Sequence, residues 1–329
     1  MMSRGLARYW YCSEMKRAPF SVLILLSFFN TGTAQVAGSA GAFARMGSGA
    51  RGMGMGNAMT AVITGEIQSY YNPALAAFSD QRTAGATFGL LSLDRHLNFL
   101  NYVQPIRPTG GISFGLINAG VSNIDGRDAD GEKTGELSTS ENQVFLAFSN
   151  RIDPRIAIGI AVKLYHSKLY DQVSSTTVGF DLGLCVLATD EISIGAAVQD
   201  LGSKYKWDTQ AIYDQNGKST EDKFPNLRRI GIAYRLPANS GVISAEFENS
   251  SLRTNVIRIG AEYTPLENFA FRGGIDRLDF SEDATGAKPT FGFTIRNSFI
   301  DWTPSLSYAY VFEAFAPHGM HIITLSTIF

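Results

Sequence analysis

The stretch from Arg155 to Tyr165, RIAIGIAVKLY, decides the fold. Ile156, Ile158, Ile160, Val162 and Leu164 recur at every second position, so they share one face of an extended chain, while Ala157, Gly159, Ala161, Lys163 and Tyr165 share the other. A soluble sheet would turn its second face to water and furnish it with charge. Here that face is mostly Ala and Gly, which predicts packing against something inside and leaves the branched face to an apolar medium.

The same pattern recurs on both sides. Ile192, Ile194 and Val198 oppose Ser193, Gly195 and Ala197, and Phe291, Phe293 and Ile295 oppose Gly292, Thr294 and Arg296. Segments of this kind lie near 83-91, 96-104, 110-119, 141-150, 155-166, 174-187, 191-199, 226-236, 241-249, 254-264, 269-279, 288-296, 300-311 and 320-329. That makes about fourteen strands, an even number, as a bacterial outer-membrane barrel requires. Connections after even-numbered strands are tight, as at Ile152 to Pro154 and Thr189 to Asp190, whereas Gly120 to Ser140, Leu201 to Pro225 and Phe280 to Ala287 read as long loops. Short turns on one side predict the periplasmic side, which would also hold both termini. The last strand, His321, Ile323, Leu325, Thr327, Phe329, alternates and ends on an aromatic residue, as outer-membrane barrels do. Trp302, Tyr308 and Tyr310 share a face with Leu306 and are expected in a lipid-facing aromatic girdle.

Composition agrees. The 329 residues are 45% hydrophobic and 18% charged, with 33 Gly, 22 Phe and 13 Tyr, which favours β-structure with close backbone contacts over a solvated surface. A net charge of -2 and the lack of any Lys/Arg run speak against nucleic acid as a partner. Lys16 and Arg17 precede the apolar run Phe20 to Phe29, which is followed by Asn30, Thr31, Gly32, Thr33 and Ala34. That order reads as an export signal over 1-34, with Met15 as a plausible true start, and the run is far short of the roughly 20 residues of a membrane-spanning helix. Cleavage would leave a mildly acidic chain whose single thiol, Cys185, can form neither an internal disulfide nor a zinc cluster. Every later apolar stretch is broken by Gly or polar residues, so a membrane protein built from this chain must be a closed barrel.

Residues 35-81 do not read as strands. They contain Met46 to Met59, MGSGARGMGMGNAM, and the turn-like Tyr70, Tyr71, Asn72, Pro73, Ala74. Gly47, Gly49 and Gly52 match GxGxxG, but no strand precedes them and no βαβ unit surrounds them, so a dinucleotide site is not supported. The better reading is an N-terminal hatch inside the lumen of a barrel formed by 82-329, its Gly, Ala and Met letting backbones approach closely. Gly49 to Ala58, GARGMGMGNA, together with Tyr71-Asn72-Pro73-Ala74, Tyr102-Val103-Gln104-Pro105 and Val198-Gln199-Asp200-Leu201-Gly202, resembles the PorV/PorQ family of the FadL-like barrel superfamily from about Gly38 onward. That resemblance implies a fourteen-stranded barrel with an N-terminal hatch. It marks Gly49, Arg51, Gly52, Met53, Gly54, Gly56, Asn57, Tyr71, Asn72 and Pro73 as the hatch motif. It also implies a role in type IX-like secretion, in which the barrel receives exported cargo domains and hands them to translocon or attachment machinery.

Candidate chemistry is sparse. Arg229, Arg235, Glu246, Glu248, Arg258, Glu262, Arg272 and Asp276 fall on inward positions, where they could guide a polar substrate or neutralise one another around a plug. His96, His166, His318 and His321 lack metal-ligand spacing. The acidic loop Asp125 to Glu136 fails the calcium-loop pattern at both ends, since Gly126 and Leu137 occupy the first and last ligand positions. No GxSxG or HExxH occurs, and no catalytic set, cofactor or metal is expected. The first reading is delivery of exported protein, with other secretion-system proteins as partners; the alternative is a FadL-like channel for a small hydrophobic molecule, and a third is a barrel with a mainly structural role. All three place the chain in outer-membrane lipid. Tyr205, Trp207, Phe312 and Phe315 could form a protein-binding rim or line a ligand entrance.

Overall fold

The computed structural model describes residues 38-66, 69-170, 172-278, 287-297, 302-314 and 316-329. The export signal over 1-34, nearly all of the loop Phe280 to Ala287, and Phe315 lie outside the described residues. Fourteen antiparallel strands close into a barrel: β1 (Thr83–Leu90), β2 (Arg95–Ile106), β3 (Gly110–Arg127), β4 (Lys133–Asp153), β5 (Ile156–Tyr170), β6 (Val173–Leu187), β7 (Ile192–Leu201), β10 (Leu227–Arg235), β11 (Gly241–Ser250), β12 (Asn255–Leu266), β13 (Phe269–Leu278), β14 (Lys288–Arg296), β15 (Thr303–Val311) and β16 (Met320–Ile328). Each pairs with its sequence neighbours, and β1 pairs with β16 to abolish the edges. A two-stranded hairpin, β8 (Lys204–Asp208) and β9 (Ser219–Lys223), interrupts the meander, so that β7 pairs directly with β10.

The strand assignment of the sequence holds, and two of its loops are corrected. Residues 120-140 are not a loop: β3 and β4 run on as a paired ladder to Arg127 and Lys133. Most residues there are polar or exposed, and cross-strand pairing continues. Leu201 to Pro225 likewise holds the β8-β9 hairpin. Lys133 Nζ sits 2.7 Å from Asp125 and holds that carboxyl below its ordinary range.

The alternation of β5 explains the wall. Ile158, Ile160, Val162 and Leu164 are exposed on the outside, while Ala157, Ala161, Lys163 and Tyr165 are buried within. Leu146, Phe148, Leu182, Ile230, Ile232 and Phe271 extend the same apolar outer surface to neighbouring strands. Phe291 and Phe293 meet Tyr310 and Tyr308 in tilted contacts across β14 and β15, a girdle of the kind that sits at a membrane interface. Water would not tolerate so extensive an apolar exterior, whereas hydrocarbon does. No helix among the described residues is long and apolar enough to cross a membrane.

The described residues of 38-66 and 69-78 lie within the lumen, because their elements contact the inner faces of strands on opposite sides of a closed barrel. Their two main elements are α1 (Gly49–Gly54), set against β13 to β16, and a 3-10 turn (Pro73–Phe78), set against β2 to β6. Gly159 and Gly183 make room for the second. A Cβ at either would run into the backbone of Pro73 and Ala74 or the Asn72 side chain. The Ala-Gly face that stood out in β5 is therefore the seat of this segment.

Candidate functional site

Six residues containing three glycines cannot hold a helix unaided, and α1 is fixed by the wall instead. Thr324 Oγ1 accepts from Ala50 N at 2.8 Å, Thr290 Oγ1 accepts from Gly56 N and donates to Gly54 O, and Glu246 Oε2 accepts from Thr60 N at 3.1 Å. Gly56 and Asn57 both adopt positive φ, near +59°, which lets the chain reverse directly after the helix. Gly52 leaves space for the Tyr71 ring, whose hydroxyl accepts from Ser48 N at 3.0 Å and lies 2.7 Å from Asn57 Oδ1. Asn72 caps the following turn by accepting from Ala74 N, with Pro73 at the first helical position, and its amide donates to Thr60 O and to Leu184 O of the wall. The motif residues thus form one hydrogen-bonded unit, with Met53 buried among them.

Arg51 joins this unit to the barrel. Its Nε and Nη2 each lie 2.9 Å from a different oxygen of Glu262, and Nη1 donates to Thr64 O and Glu66 O. Arg272 binds the same Glu262 and passes its other donor to Thr294. A second network joins Arg229, Glu246, Glu248, Arg258 and Asp276. Arg258 bridges both glutamates and Asp276 at 2.8 to 3.1 Å, and Asp276 accepts from the Asn57 amide. Seven of the eight inward charges read from the sequence are therefore brought together in two clusters. The eighth, Arg235, stands apart at one end of the barrel beside Ile63, Thr64 and Glu191. Each carboxylate in the clusters has a guanidinium partner, so the inner surface is neutralised where it meets the segment.

Sequence reasoning missed a third cluster, between β5, β6 and β7. Lys163 Nζ lies 2.7 Å from Asp181 and 3.0 Å from Asp200, and Tyr165 donates to the same Asp200. Asp200 takes a positive φ of 63° at a register shift between β6 and β7, where its N–H donates to Asp181. Gln199 donates to Tyr70 O. The Val198-Gln199-Asp200-Leu201-Gly202 motif is thus a bulge that grips both the wall and the lumenal segment. The lysine and the motif were visible in the sequence; their meeting was not.

Above the segment lies an aromatic roof. The β8-β9 hairpin folds inward, with its backbone donating to Thr177 and Ser175 of β6. Tyr205 is 2% exposed and packs against Trp207 and Phe224, Phe224 packs on Tyr165, and Tyr165 meets Phe43 edge-on. Tyr205 is not the surface residue that a protein-binding rim requires, and Trp207 is only partly exposed against this cluster. Phe312 is exposed but lies against Phe291 and Tyr310, continuing the outer girdle. On the outer wall, Ala84 and Ala86 leave a groove of about 480 Å³ between Leu325 on one side and Leu100, Tyr102 and Phe114 on the other, with Gly85 at its floor. Among the described residues no group of three metal-ligating side chains converges.

No protein-family model matches the chain, and no curated protein matches it in sequence. Solved structures do match in shape. The Pseudomonas putida toluene transporter TodX superposes with a TM-score of 0.57 at 14% identity, covering 86% of this chain and 96% of that one. The fold is that of the FadL-like barrels. The CymD monoaromatic hydrocarbon channel aligns at 0.59 and 14% identity over 86% of this chain and 97% of its own, and a Pseudomonas aeruginosa FadL homologue at 0.58 and 11% over 86% and 98%. At such identities the FadL-like likeness fixes strand number, closure and topology. The PorV/PorQ resemblance of the motifs is a finer statement than this likeness carries.

Proposed function

We propose that the chain is an outer-membrane channel for small hydrophobic molecules, with residues 35-81 acting as its hatch. The observation that carries this reading is an apolar aromatic interior: Tyr205, Phe224, Tyr165 and Phe43 pack on one another inside the lumen, the kind of lining a hydrophobic molecule would pass. The structural likeness to the toluene transporter TodX and the monoaromatic hydrocarbon channel CymD supports it. Tight turns on one end orient that end, and with it both termini, to the periplasm. The groove at Ala84 to Ala86 offers an apolar molecule a place on the membrane side. Delivery of exported protein in a type IX-like system would call for an exposed apolar rim. The aromatics first assigned to that rim are turned inward or belong to the lipid-facing girdle, and Phe315 lies outside the described residues.

The test is purification of the full chain from native outer membrane in mild detergent, with mass spectrometry of everything that accompanies it. The channel reading expects a barrel carrying an apolar small molecule. Recovery of a large translocon barrel, or of exported proteins sharing a C-terminal domain, would reverse the ranking.

A further inference from the structure

We propose that the outer wall of the barrel holds one anionic phospholipid of the membrane at a fixed place, its acyl chain in the groove at Ala84 to Ala86 and its phosphate on Arg82. The inference needs only that the barrel spans a membrane, so it stands apart from the channel reading.

Side-chain size makes the groove. Ala84 and Ala86 lie on the outer face of β1, and each is paired on both sides with a larger residue. Ala86 stands between Leu325 of β16 and Leu100 of β2, and Ala84 between Thr327 and Tyr102. Phe114 of β3, in register with Tyr102, heightens that bank. Leu325, Leu100 and Phe114 project from the wall, so the two methyl groups floor a slot of about 480 Å³ whose exposed surface is almost entirely hydrocarbon. Ligand sites commonly measure about 300 to 1,000 Å³.

Charge stands at one end of the slot. Strand pairing continues past Thr83, where Arg82 and Phe329 exchange backbone hydrogen bonds of 3.2 and 3.0 Å. Alternation therefore carries the Arg82 side chain to the same face as Ala84 and Ala86, about 13 Å along the strand from Ala86. Its guanidinium is exposed and has no ion pair or side-chain hydrogen bond among the described residues. Asp80 and the carboxyl of Phe329 stand near it in the chain and in the pairing, and neither is ion-paired with it. One outward step beyond Tyr102 on β2, the Gln104 amide accepts from the Tyr102 hydroxyl at 2.8 Å and donates to Pro105 O at 2.9 Å, which leaves it a further N–H.

An apolar slot that ends on an unpaired guanidinium matches an amphiphile with an anionic head. The slot belongs at the depth of lipid chains and the arginine at the level of headgroups, where long basic side chains reach phosphate. Bulk lipid covers any barrel. Here shape holds one chain, and the planar fork of Arg82 favours a phosphate over a headgroup whose charge is cancelled. A neutral apolar solute would fill the slot and leave Arg82 unused.

Dioleoylphosphatidylglycerol and dioleoylphosphatidylcholine carry the same chains under an anionic and a zwitterionic head, and they form the test pair. The purified full-length protein, stripped of lipid in detergent, is given an equal mixture of the two, and native mass spectrometry reads which lipid accompanies the singly loaded protein. The expected result is an excess of the anionic lipid of about fivefold. Arg82→Gln should reduce that excess to less than about twofold, whereas Arg82→Lys should keep most of it. Ala86→Phe, which fills the slot on a face that already accepts large apolar residues, should lower retention of both lipids. Equal retention in the wild type, an excess that survives Arg82→Gln, or undiminished retention in Ala86→Phe overturns the proposal. The wild-type comparison does not depend on how any variant folds.

Discussion

Arg51 and Glu262, 211 residues apart in sequence, meet as a two-pronged ion pair with both N···O distances at 2.9 Å. One belongs to the lumenal segment and the other to β12, so this pair is one of the points at which the interior of the barrel is fastened to its wall. A planar guanidinium matches a carboxylate through two parallel hydrogen bonds, and its remaining nitrogen holds the carbonyls of Thr64 and Glu66.

Removing Arg51 should therefore loosen the segment without unfolding the barrel, because Glu262 keeps Arg272. Arg51→Ala is expected to cost about 3 kcal/mol in the local stability of residues 47-66, at the lower end for a broken buried pair. Hydrogen exchange by mass spectrometry reads it as faster exchange in peptides covering 47-66, with β4 and β5 peptides unchanged. Arg51→Lys should recover only part, since an ammonium cannot reproduce the fork. Exchange identical to wild type in Arg51→Ala would show that the segment is held by other means.

Steric displacement tests the seat on the opposite side. In Gly159→Leu the new side chain must occupy the space of Pro73 and Ala74. The wall strands can persist because only their inner face changes, so the expected outcome is a folded barrel with higher ion conductance in planar bilayers. Conductance equal to the wild type would mean that the segment does not limit passage.

Lys163 balances two aspartates. Lys163→Met removes the ammonium that Asp181 and Asp200 share, which should destabilise the folded barrel by about 3 kcal/mol. Adding Asp181→Asn and Asp200→Asn to that variant should restore most of the loss. Urea-gradient unfolding in lipid vesicles measures both steps, and a single variant as stable as the wild type would contradict the role assigned to the cluster.

The outer wall is tested at Ile160, which is 45% exposed midway along the apolar face of β5. Ile160→Arg should cost about 2 to 4 kcal/mol in a bilayer if the position lies near its midplane, whereas a solvated surface would accept the change with little effect. The same vesicle-unfolding measurement distinguishes these.

The contrast between wall and interior shows where reading from sequence stops. The period-two pattern of RIAIGIAVKLY survives into the structure residue by residue, because alternation is a property of the extended chain itself and needs no partner to be specified. The same rule placed Glu246, Glu248, Arg258 and Arg272 on the inner face. It could not say that Arg258 would bridge two glutamates and Asp276, since that depends on the stagger between strands.

Sequence by itself determined the strand count, which face of each strand meets hydrocarbon, and that residues near Gly49 and Asn72 form something other than a strand. Tertiary structure alone decided that β8 and β9 fold inward and bury Tyr205, and that Asp200 meets Lys163. Strand faces are set by local backbone geometry, so they are written in the spacing of residues. Loops and lumenal segments have no such period, and their placement follows from whichever surfaces, hundreds of residues away, they can bury against.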